Sequence, residues 1–125
     1  MLSNSSLETL FTKARSQNGW LNKDITDEQI QQLYDLLKFG PTSANCCPAR
    51  FTFIRTKEAK ERLKPYLDSG NIEKSMSAPA VAIISYDIDF YQKLPYLFPH
   101  TNAQSWYEGK EQKIKSTAKL NATLQ

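Results

Sequence analysis

The segment "AVAIISY", residues 80–86, most constrains the fold, because an unbroken apolar run of this length predicts a strand buried on both faces. A second strand is predicted in "RFTFIRT", where Phe51 and Phe53 alternate with Thr52. The other patterned segments have helical periodicity, which gives the order helix, helix, strand, helix, strand, helix. Two strands do not close a sheet, and they are few for a chain with this much apolar sequence.

The first helix is predicted in "SSLETLFTKARSQ", where Ser5 and Glu8 have the spacing of a capping box. The Asn18-Gly19 pair is a turn signal and predicts that this helix ends near residues 17–19. Its apolar residues recur at helical spacing and give it one apolar face: Leu7, Leu10, Phe11 and Ala14.

A second helix is predicted in "TDEQIQQLYDLLKFG", where Thr26 and Gln29 form another capping box and Gly40 is the stop. Its predicted buried stripe consists of Ile30, Leu33, Leu36 and Leu37.

Later segments predict a charged helix ended by Pro65, a short helix before Pro79, and one or two helical turns with an irregular loop over residues 87–106. A last helix begins near Lys110, with Ile114, Ala118 and Ala122 at intervals of four. No stop signal ends this helix, so we expect a polypeptide that is cut short, although a frayed terminal helix has the same pattern.

Composition excludes several classes of function. The 125 residues suit one domain, and 40% hydrophobic with 23% charged residues is ordinary for a globular chain. The net charge of +3 comes from basic residues scattered singly, which argues against nucleic-acid binding. The opening "MLSNSSLETLF" lacks the basic start and apolar core typical of a signal peptide, so we expect none, and the longest apolar run is too short to cross a membrane.

Cys46 and Cys47 are neighbours, so a disulfide between them would be strained and would not stabilise the fold. Two reduced cysteines predict a cytoplasmic protein. Without a CxxC motif, and with His100 far away in sequence, zinc binding is not supported, and we assign no metal site.

The polar loop, residues 41–47 within "FGPTSANCCPARF", connects a helix to a strand and is rich in small hydrogen-bonding side chains. The hydroxyls of Thr42 and Ser43 and the amide of Asn45 both donate and accept. They match the alternating donors and acceptors of a flavin edge without any charge. Simple turn chemistry is the alternative, because Pro, Thr, Ser and Asn also favour turns.

Three other groups of residues are candidates for ligand binding or catalysis. Arg15 and Ser16, at a helix end, form a phosphate-binding candidate, although a terminal arginine more commonly complements the helix dipole. His100 is a candidate general acid, or simply a surface residue. Asp87 and Asp89 follow a strand as metal or capping candidates, capping being the commoner role. No catalytic triad is evident, and we assign no catalytic residue.

Taken together, "ARSQNGW", "GPTSANCCPARF", "SGN" and "APAVAIISYD" resemble the nitroreductase family of FMN-dependent oxidoreductases. "FYQKLPYLFPH" followed by "AQSW" resembles its malonic semialdehyde reductase branch, which acts in pyrimidine degradation. The resemblance implies an α+β fold, the N-terminal part of a three-layer α/β/α sandwich with a mostly antiparallel central sheet. Residues 1–125 would form a single domain that is C-terminally incomplete, since the family continues well beyond this length.

The resemblance also implies roles for individual residues. Those that match the family's FMN-binding pattern are Pro41, Thr42, Ser43 and Asn45 at the flavin, Asn71 at its edge, and Arg15 with Ser16 at the phosphate and ribityl chain. Asn18, also assigned to the cofactor site, stands where many members have a basic residue, so the resemblance implies a phosphate contact that is weaker or differently made. Arg50 or Arg55 is a candidate for the substrate carboxylate, with an exposed strand arginine as the commoner alternative for each.

The implied activity is ping-pong hydride transfer from NADH or NADPH, through FMN, to malonic semialdehyde, giving 3-hydroxypropionate. The resemblance implies a homodimer with FMN at the subunit interface. A catalytically inactive remnant and a general nitro or quinone reductase remain open as alternatives. We expect the 125 residues alone to bind FMN weakly or not at all.

Overall fold

The structure is a computed structural model that describes residues 2–125, and its two strands lie side by side as an antiparallel pair. β1 is Ala49–Ile54 and β2 is Val81–Tyr86. Ala49 lies opposite Tyr86, and Ile54 lies opposite Val81. Both strands are therefore confirmed where the residue patterns predicted them, and within residues 2–125 they make up the whole sheet.

Residues 2–125 form six α-helices in addition to this pair. They are α1 (Asn4–Leu7), α2 (Asp27–Leu37), α3 (Lys57–Leu63), α4 (Ser69–Ser77), α5 (Leu94–Leu97) and α6 (Glu111–Leu124). A π-helical turn, Glu8–Thr12, continues α1. Short 3-10 turns lie at Ser43–Asn45, Lys64–Tyr66, Phe90–Lys93 and Ala103–Trp106. Among the described residues, no helix has the length and apolar character needed to cross a bilayer.

The start of α2 confirms the predicted capping box. The Thr26 hydroxyl accepts from the Gln29 backbone N–H at 3.2 Å, and the Gln29 side-chain oxygen accepts from the Thr26 backbone N–H at 3.0 Å. These two bonds satisfy donors that the first helical turn leaves without partners. The three remaining predicted helices also form, with the turn at Lys64–Tyr66 carrying Pro65 after α3.

The predicted cap and end of the first helix are wrong. Ser3, rather than Ser5, caps α1, because its hydroxyl accepts from the Ser6 N–H at 3.1 Å. The helical segment ends at Thr12, where the Lys13 N–H bonds the Glu8 carbonyl at 2.8 Å and closes a wide π turn. The chain then leaves the helix five residues earlier than the turn signal at Asn18-Gly19 predicted.

The hydrophobic core lies beneath α6. Its fully buried side chains come from residues 90–107, from α6 and from the polar loop: Phe90, Leu94, Ala103, Tyr107, Ala118 and Cys46. The Phe90 and Tyr107 rings meet edge to face with centroids 5.0 Å apart. Ile114, Ala118 and Ala122 lie on the inward side of α6, as their spacing predicted.

Several surfaces predicted to be buried are exposed. β2 is open on both faces, with Ile83 39% exposed on one face and Ile84 56% exposed on the other. The apolar residues of the two N-terminal helices that are exposed are Leu7, Leu10, Phe11, Leu33 and Leu36. Periodicity predicts which face of an element is apolar, whereas burial needs a second element, and residues 2–125 place none over these faces.

Candidate functional site

The polar loop begins where α2 packs against the end of α6. A Cβ on Gly40 would lie 3.0 Å from the Gln125 Cα and 3.1 Å from the Leu124 carbonyl oxygen. Since these are backbone atoms, they cannot turn aside for a side chain. Glycine at position 40 therefore allows the loop to leave α2 in direct contact with the C-terminal end of α6.

The loop contains three residues in the left-handed region that favours glycine. Ala44, Asn45 and Cys47 have φ values of 51°, 50° and 38°. Only asparagine among these tolerates the region well, and each such residue costs about 1–3 kcal/mol unless its surroundings impose the conformation. Strain of this kind clusters at binding and catalytic sites, because the local conformation is fixed for a reason other than stability.

Hydrogen bonds within the loop hold its shape. The Thr42 hydroxyl accepts from the Cys47 backbone N–H at 3.1 Å, and the Thr42 carbonyl accepts from the Asn45 N–H at 3.1 Å. Cys46 is 1% exposed and packs into the core, where burial raises the pKa of its thiol. Both cysteines are free, as predicted for this adjacent pair.

Contacts from outside the loop complete its attachment. The Ser43 backbone N–H donates to Oδ1 of Asn121 at 2.7 Å, and the Asn121 side chain is in turn fixed by Nδ2 donating to the Thr117 carbonyl at 2.8 Å. Beyond the loop, the Ala49 N–H donates to Oε1 of Gln125 at 3.2 Å. Asn121 was not among the predicted site residues. Its position three residues after Ala118, on the inward side of α6, was a usable signal, because a buried amide needs hydrogen-bond partners.

The exposed side of the loop fits a neutral polar ligand. Ser43 and Asn45 are exposed, and the Ser43 hydroxyl has no hydrogen-bond partner among residues 2–125. The Asn45 side chain already makes two hydrogen bonds: Nδ2 donates to the Leu97 carbonyl at 3.3 Å, and Oδ1 accepts from the Cys47 thiol at 3.3 Å. The loop therefore presents uncharged donors and acceptors on a backbone fixed from below, which is the donor set that a flavin edge requires.

The predicted phosphate residues lie on a different segment. Arg15, Ser16 and Asn18 are exposed, and Nη1 of Arg15 donates to the carbonyls of Thr12 and Ala14 at 3.3 and 2.6 Å. In the described part of the chain, no hydrogen bond joins this segment to the polar loop. The structure thus shows the arginine capping its own helix end, the alternative that the sequence also allowed.

Asn71 lies on α4, far from the polar loop in sequence. It is exposed, and its backbone N–H donates to the Asp68 carbonyl at 2.8 Å in the first turn of the helix. The segment between α1 and α2 reaches the same helix, because Nε1 of Trp20 donates to the Lys74 carbonyl at 2.6 Å. No hydrogen bond among residues 2–125 joins Asn71 to Ser43, and the flavin-edge contact from Asn71 stays a prediction.

Arg50 is engaged in an ion pair. Its Nη2 lies 2.5 Å from Oδ2 of Asp87, and Nζ of Lys93 lies 2.6 Å from the same oxygen. Nη1 of Arg50 also donates to the carbonyls of Cys47 and Ala49. The proposed substrate-binding arginine therefore holds the end of the polar loop against the start of the segment that follows β2.

Opposing effects act on the Asp87 carboxyl. Burial raises its pKa, but the hydrogen bonds from Lys93 and from the Asp89 backbone N–H, with the positive charges of Arg50 and Lys93, outweigh burial. The net result is a pKa below the ordinary value for aspartate, so the carboxylate form is favoured.

A cavity of about 1120 Å³ lies at the other end of β1. Its lining includes Thr52 and Ile54 of β1, Leu63 of α3, and the arginines Arg55 and Arg62. Arg55 pairs with Asp27 and donates to the Ile25 carbonyl. Because Ala49 and Ile54 are about 17 Å apart along a strand, this cavity is separate from the polar loop. Arg55, the second candidate for the substrate carboxylate, is the predicted site residue that lines it.

No metal centre is present among residues 2–125, where no group of three His, Cys, Asp or Glu side chains converges. His100 is exposed and packs edge to face on the Phe98 ring, with centroids 5.1 Å apart. Its placement is that of a surface residue rather than of a general acid aimed into a cavity.

Comparison with known proteins identifies the fold. A protein from Exiguobacterium sibiricum described as a nitroreductase, solved in complex with FMN, matches with a TM-score of 0.83 and 20% identity over 94% of this chain and 64% of its own. The Bacillus subtilis protein ydfN, also described as a nitroreductase, matches with a TM-score of 0.78 and 22% identity over 96% of this chain and 66% of its own.

A nitroreductase family protein from Streptococcus pneumoniae matches with a TM-score of 0.74 and 19% identity over 90% of this chain and 63% of its own. No family model matches the sequence. The chain spans slightly less than two thirds of the length of each of these three proteins. The predicted fold class is confirmed: this chain has a nitroreductase-like α+β fold.

Proposed function

We propose that this chain forms part of an FMN-dependent NAD(P)H oxidoreductase. The observation that carries the proposal is the polar loop, because its strained backbone is fixed by the core while its uncharged side chains face solvent. The fold supports it, since one structural neighbour was solved in complex with FMN. When bound, FMN supplies the hydride-accepting and hydride-donating centre, and the protein supplies binding and orientation.

Within this proposal, Thr42, Ser43 and Asn45 hold the uncharged edge of the cofactor, with Pro41 shaping the start of the loop. Arg15, Ser16 and Asn18 hold its phosphate end. Arg15 is free to do so at little cost, because its two bonds to backbone carbonyls are solvent-exposed and easily exchanged for phosphate oxygens. Asn71 is the proposed additional contact to the flavin edge.

The proposed substrate is malonic semialdehyde, reduced to 3-hydroxypropionate, with Arg50 as the partner of its carboxylate. This role requires Arg50 to exchange its contact with Asp87 for the substrate, and Lys93 remains to neutralise Asp87 when it does. A general nitro or quinone reductase is the second candidate, which the nitroreductase descriptions of the structural neighbours favour.

The proposed assembly is a homodimer in the cytoplasm. The exposed apolar faces of α1, α2 and β2 support a partner subunit, because so much uncovered apolar area favours association. The two free cysteines support a reducing compartment.

FMN titration followed by quenching of flavin fluorescence tests the proposal. We expect weak but saturable binding by the 125-residue chain, weakened about fivefold by Ser43→Ala because one hydroxyl contact is lost. Ser116→Ala, an exposed hydroxyl on α6, is the matched control and should bind as the unchanged chain does. Absence of saturable quenching at millimolar FMN would overturn the proposal.

Activity separates the two candidate substrates. With FMN added, NADH or NADPH oxidation driven by malonic semialdehyde is expected to exceed oxidation driven by a nitroaromatic compound. The reverse order would favour the general reductase. Binding of FMN with neither activity would identify a flavin-binding chain without catalytic function.

A further inference from the structure

The end of α6 contacts the polar loop and its exit through two polar side chains. Asn121 is 4% exposed and accepts from the Ser43 N–H, and Gln125 accepts from the Ala49 N–H. Both backbone groups lie at the boundaries of the strained segment, one just before Ala44 and one just after Pro48. Asn121 is therefore a buried amide that reaches from another element to the backbone of the candidate site.

We propose that Asn121 is a positioning residue that holds the polar loop in its ligand-binding form, so that α6 sets the affinity of the site for FMN. This inference rests on the proposed function above, which names the ligand. It adds the element that fixes the binding conformation, acting through the Ser43 backbone rather than by touching the ligand.

The orientation of the Asn121 amide is fixed by its two partners. Nδ2 donates to the Thr117 carbonyl at 2.8 Å, so the opposite atom that meets the Ser43 N–H at 2.7 Å is the oxygen. A reversed amide would set two N–H donors against each other at one end and two oxygens at the other. The side chain thus accepts a hydrogen bond at one defined point.

Strain explains why the loop needs this contact. Ala44 and Cys47 have left-handed backbone angles that are unfavourable for these residue types. Such a conformation persists only where contacts with the rest of the protein hold it in place. Cys46 anchors the loop through its buried side chain, while Asn121 anchors its backbone on the other side of Ala44. Removing the acceptor leaves the Ser43 N–H without a partner and allows Ala44 to relax, which moves the exposed Ser43 hydroxyl.

Three variants test the proposal. Asn121→Leu keeps the branching at Cγ, in a somewhat larger side chain, but has no acceptor. Asn121→Asp keeps an acceptor oxygen for Ser43. Thr123→Ala, at an exposed hydroxyl that bonds only the Lys119 carbonyl of its own helix, is the matched control. Circular dichroism identifies any variant that fails to fold, and Asn121→Asp, which keeps the side-chain size but replaces the donor to the Thr117 carbonyl by an oxygen, preserves the test if the leucine variant unfolds.

The first readout is hydrogen exchange at the Ser43 amide without FMN. We expect Asn121→Leu to speed it by about tenfold or more relative to Thr123→Ala, because a buried bond is lost, with Asn121→Asp in between. Unchanged exchange at Ser43 in a folded Asn121→Leu variant would overturn the positioning role.

The second readout is the dissociation constant for FMN, expected to rise about tenfold in Asn121→Leu, to rise less in Asn121→Asp, and to stay unchanged in Thr123→Ala. Faster Ser43 exchange with unchanged FMN affinity would overturn the inference and leave the proposed function intact. If the unchanged chain binds no FMN, the proposed function fails and the link to affinity fails with it, whereas the exchange result still reports whether Asn121 holds the loop.

Discussion

Apolar side chains are buried in the region beneath α6 and exposed in the region around β2. Phe90 and Leu94 are completely buried beside α6, whereas Ile83 and Ile84 in β2 are 39% and 56% exposed. The polar loop is attached to the packed region through Cys46 and Asn121. The candidate site therefore depends mainly on the part of the molecule that residues 2–125 already pack, while Arg50 of β1 holds the end of the loop.

This difference explains where strain is tolerated. The left-handed residues Ala44, Asn45 and Cys47 all lie in the loop that the packed region holds, and outside it Gly109 is the other described residue with positive φ. Strained backbone needs surroundings that resist relaxation, and well-packed cores resist it best. Four mutational comparisons test the contrast, beginning with the largest expected effect.

Replacing a core aromatic residue should separate the two regions most clearly. Phe90→Ala removes a completely buried ring and its edge contact with Tyr107, so we expect the free energy of unfolding to fall by about 3–5 kcal/mol. Ile84→Ala in β2 should cost less than about 1 kcal/mol, because its side chain is already half exposed. Urea denaturation measures both, and similar losses would contradict the contrast.

Outside the packed region beneath α6, a buried lysine joins α3 to α4. Lys60 of α3 is 8% exposed, and its Nζ donates to the carbonyls of Met76 and Ala78 at the end of α4. Lys60→Met should lower the free energy of unfolding by about 1.5–3 kcal/mol, because hydrogen bonds to a charged group are lost. Lys57→Met on the exposed side of α3 is the control. Equal unfolding midpoints for the two variants would show that Lys60 does not join the helices.

The strained loop should reject a branched side chain. Ala44→Val places a β-branched residue at a φ of 51°, which should destabilise the protein by about 1–3 kcal/mol. Ala82→Val in the exposed, extended β2 should be neutral or slightly stabilising, because valine favours strands. Thermal unfolding of both variants distinguishes them. An Ala44→Val variant as stable as Ala82→Val would mean that the loop is not held in its left-handed form.

The smallest expected effect is a dependence on pH. Because the folded state lowers the pKa of Asp87, the carboxylate stabilises the protein at pH values above the unfolded pKa of about 4. This stabilisation is lost as the pH falls through the folded pKa. Asp87→Asn should therefore weaken the protein at pH 7 and reduce the acid-side slope of the urea midpoint. A variant with the same slope as the original chain would exclude this role for Asp87.

The sequence predicts the elements well and their surroundings poorly. The Thr26–Gln29 capping box, both strands and the inward stripe of α6 follow from local patterns, since caps and periodicity are properties of neighbouring residues. The exposure of Leu33 and Ile84 does not, because it depends on which other segments cover them. The early end of the first helix also has no local signal, because a π turn forms there instead of the predicted continuation.

For the candidate site, the sequence identifies the loop but not its support. The small hydrogen-bonding side chains of Thr42 and Ser43 are visible in the sequence, whereas the left-handed angle at Ala44 is not, because alanine has no tendency toward it. The bond from Asn121 joins residues 78 positions apart, so only the fold shows it. Likewise, the attachment of Arg50 to Asp87 needs the two strands to pair first.

The most direct test of the account maps FMN contacts onto the backbone by NMR, using amide chemical shifts of the 125-residue chain during FMN titration. If the polar loop binds FMN, the largest shift changes are expected at the amides of residues 42–47, with smaller ones near Arg15. Changes concentrated around the cavity at Ile54 and Arg62, or no changes at saturating FMN, would contradict it.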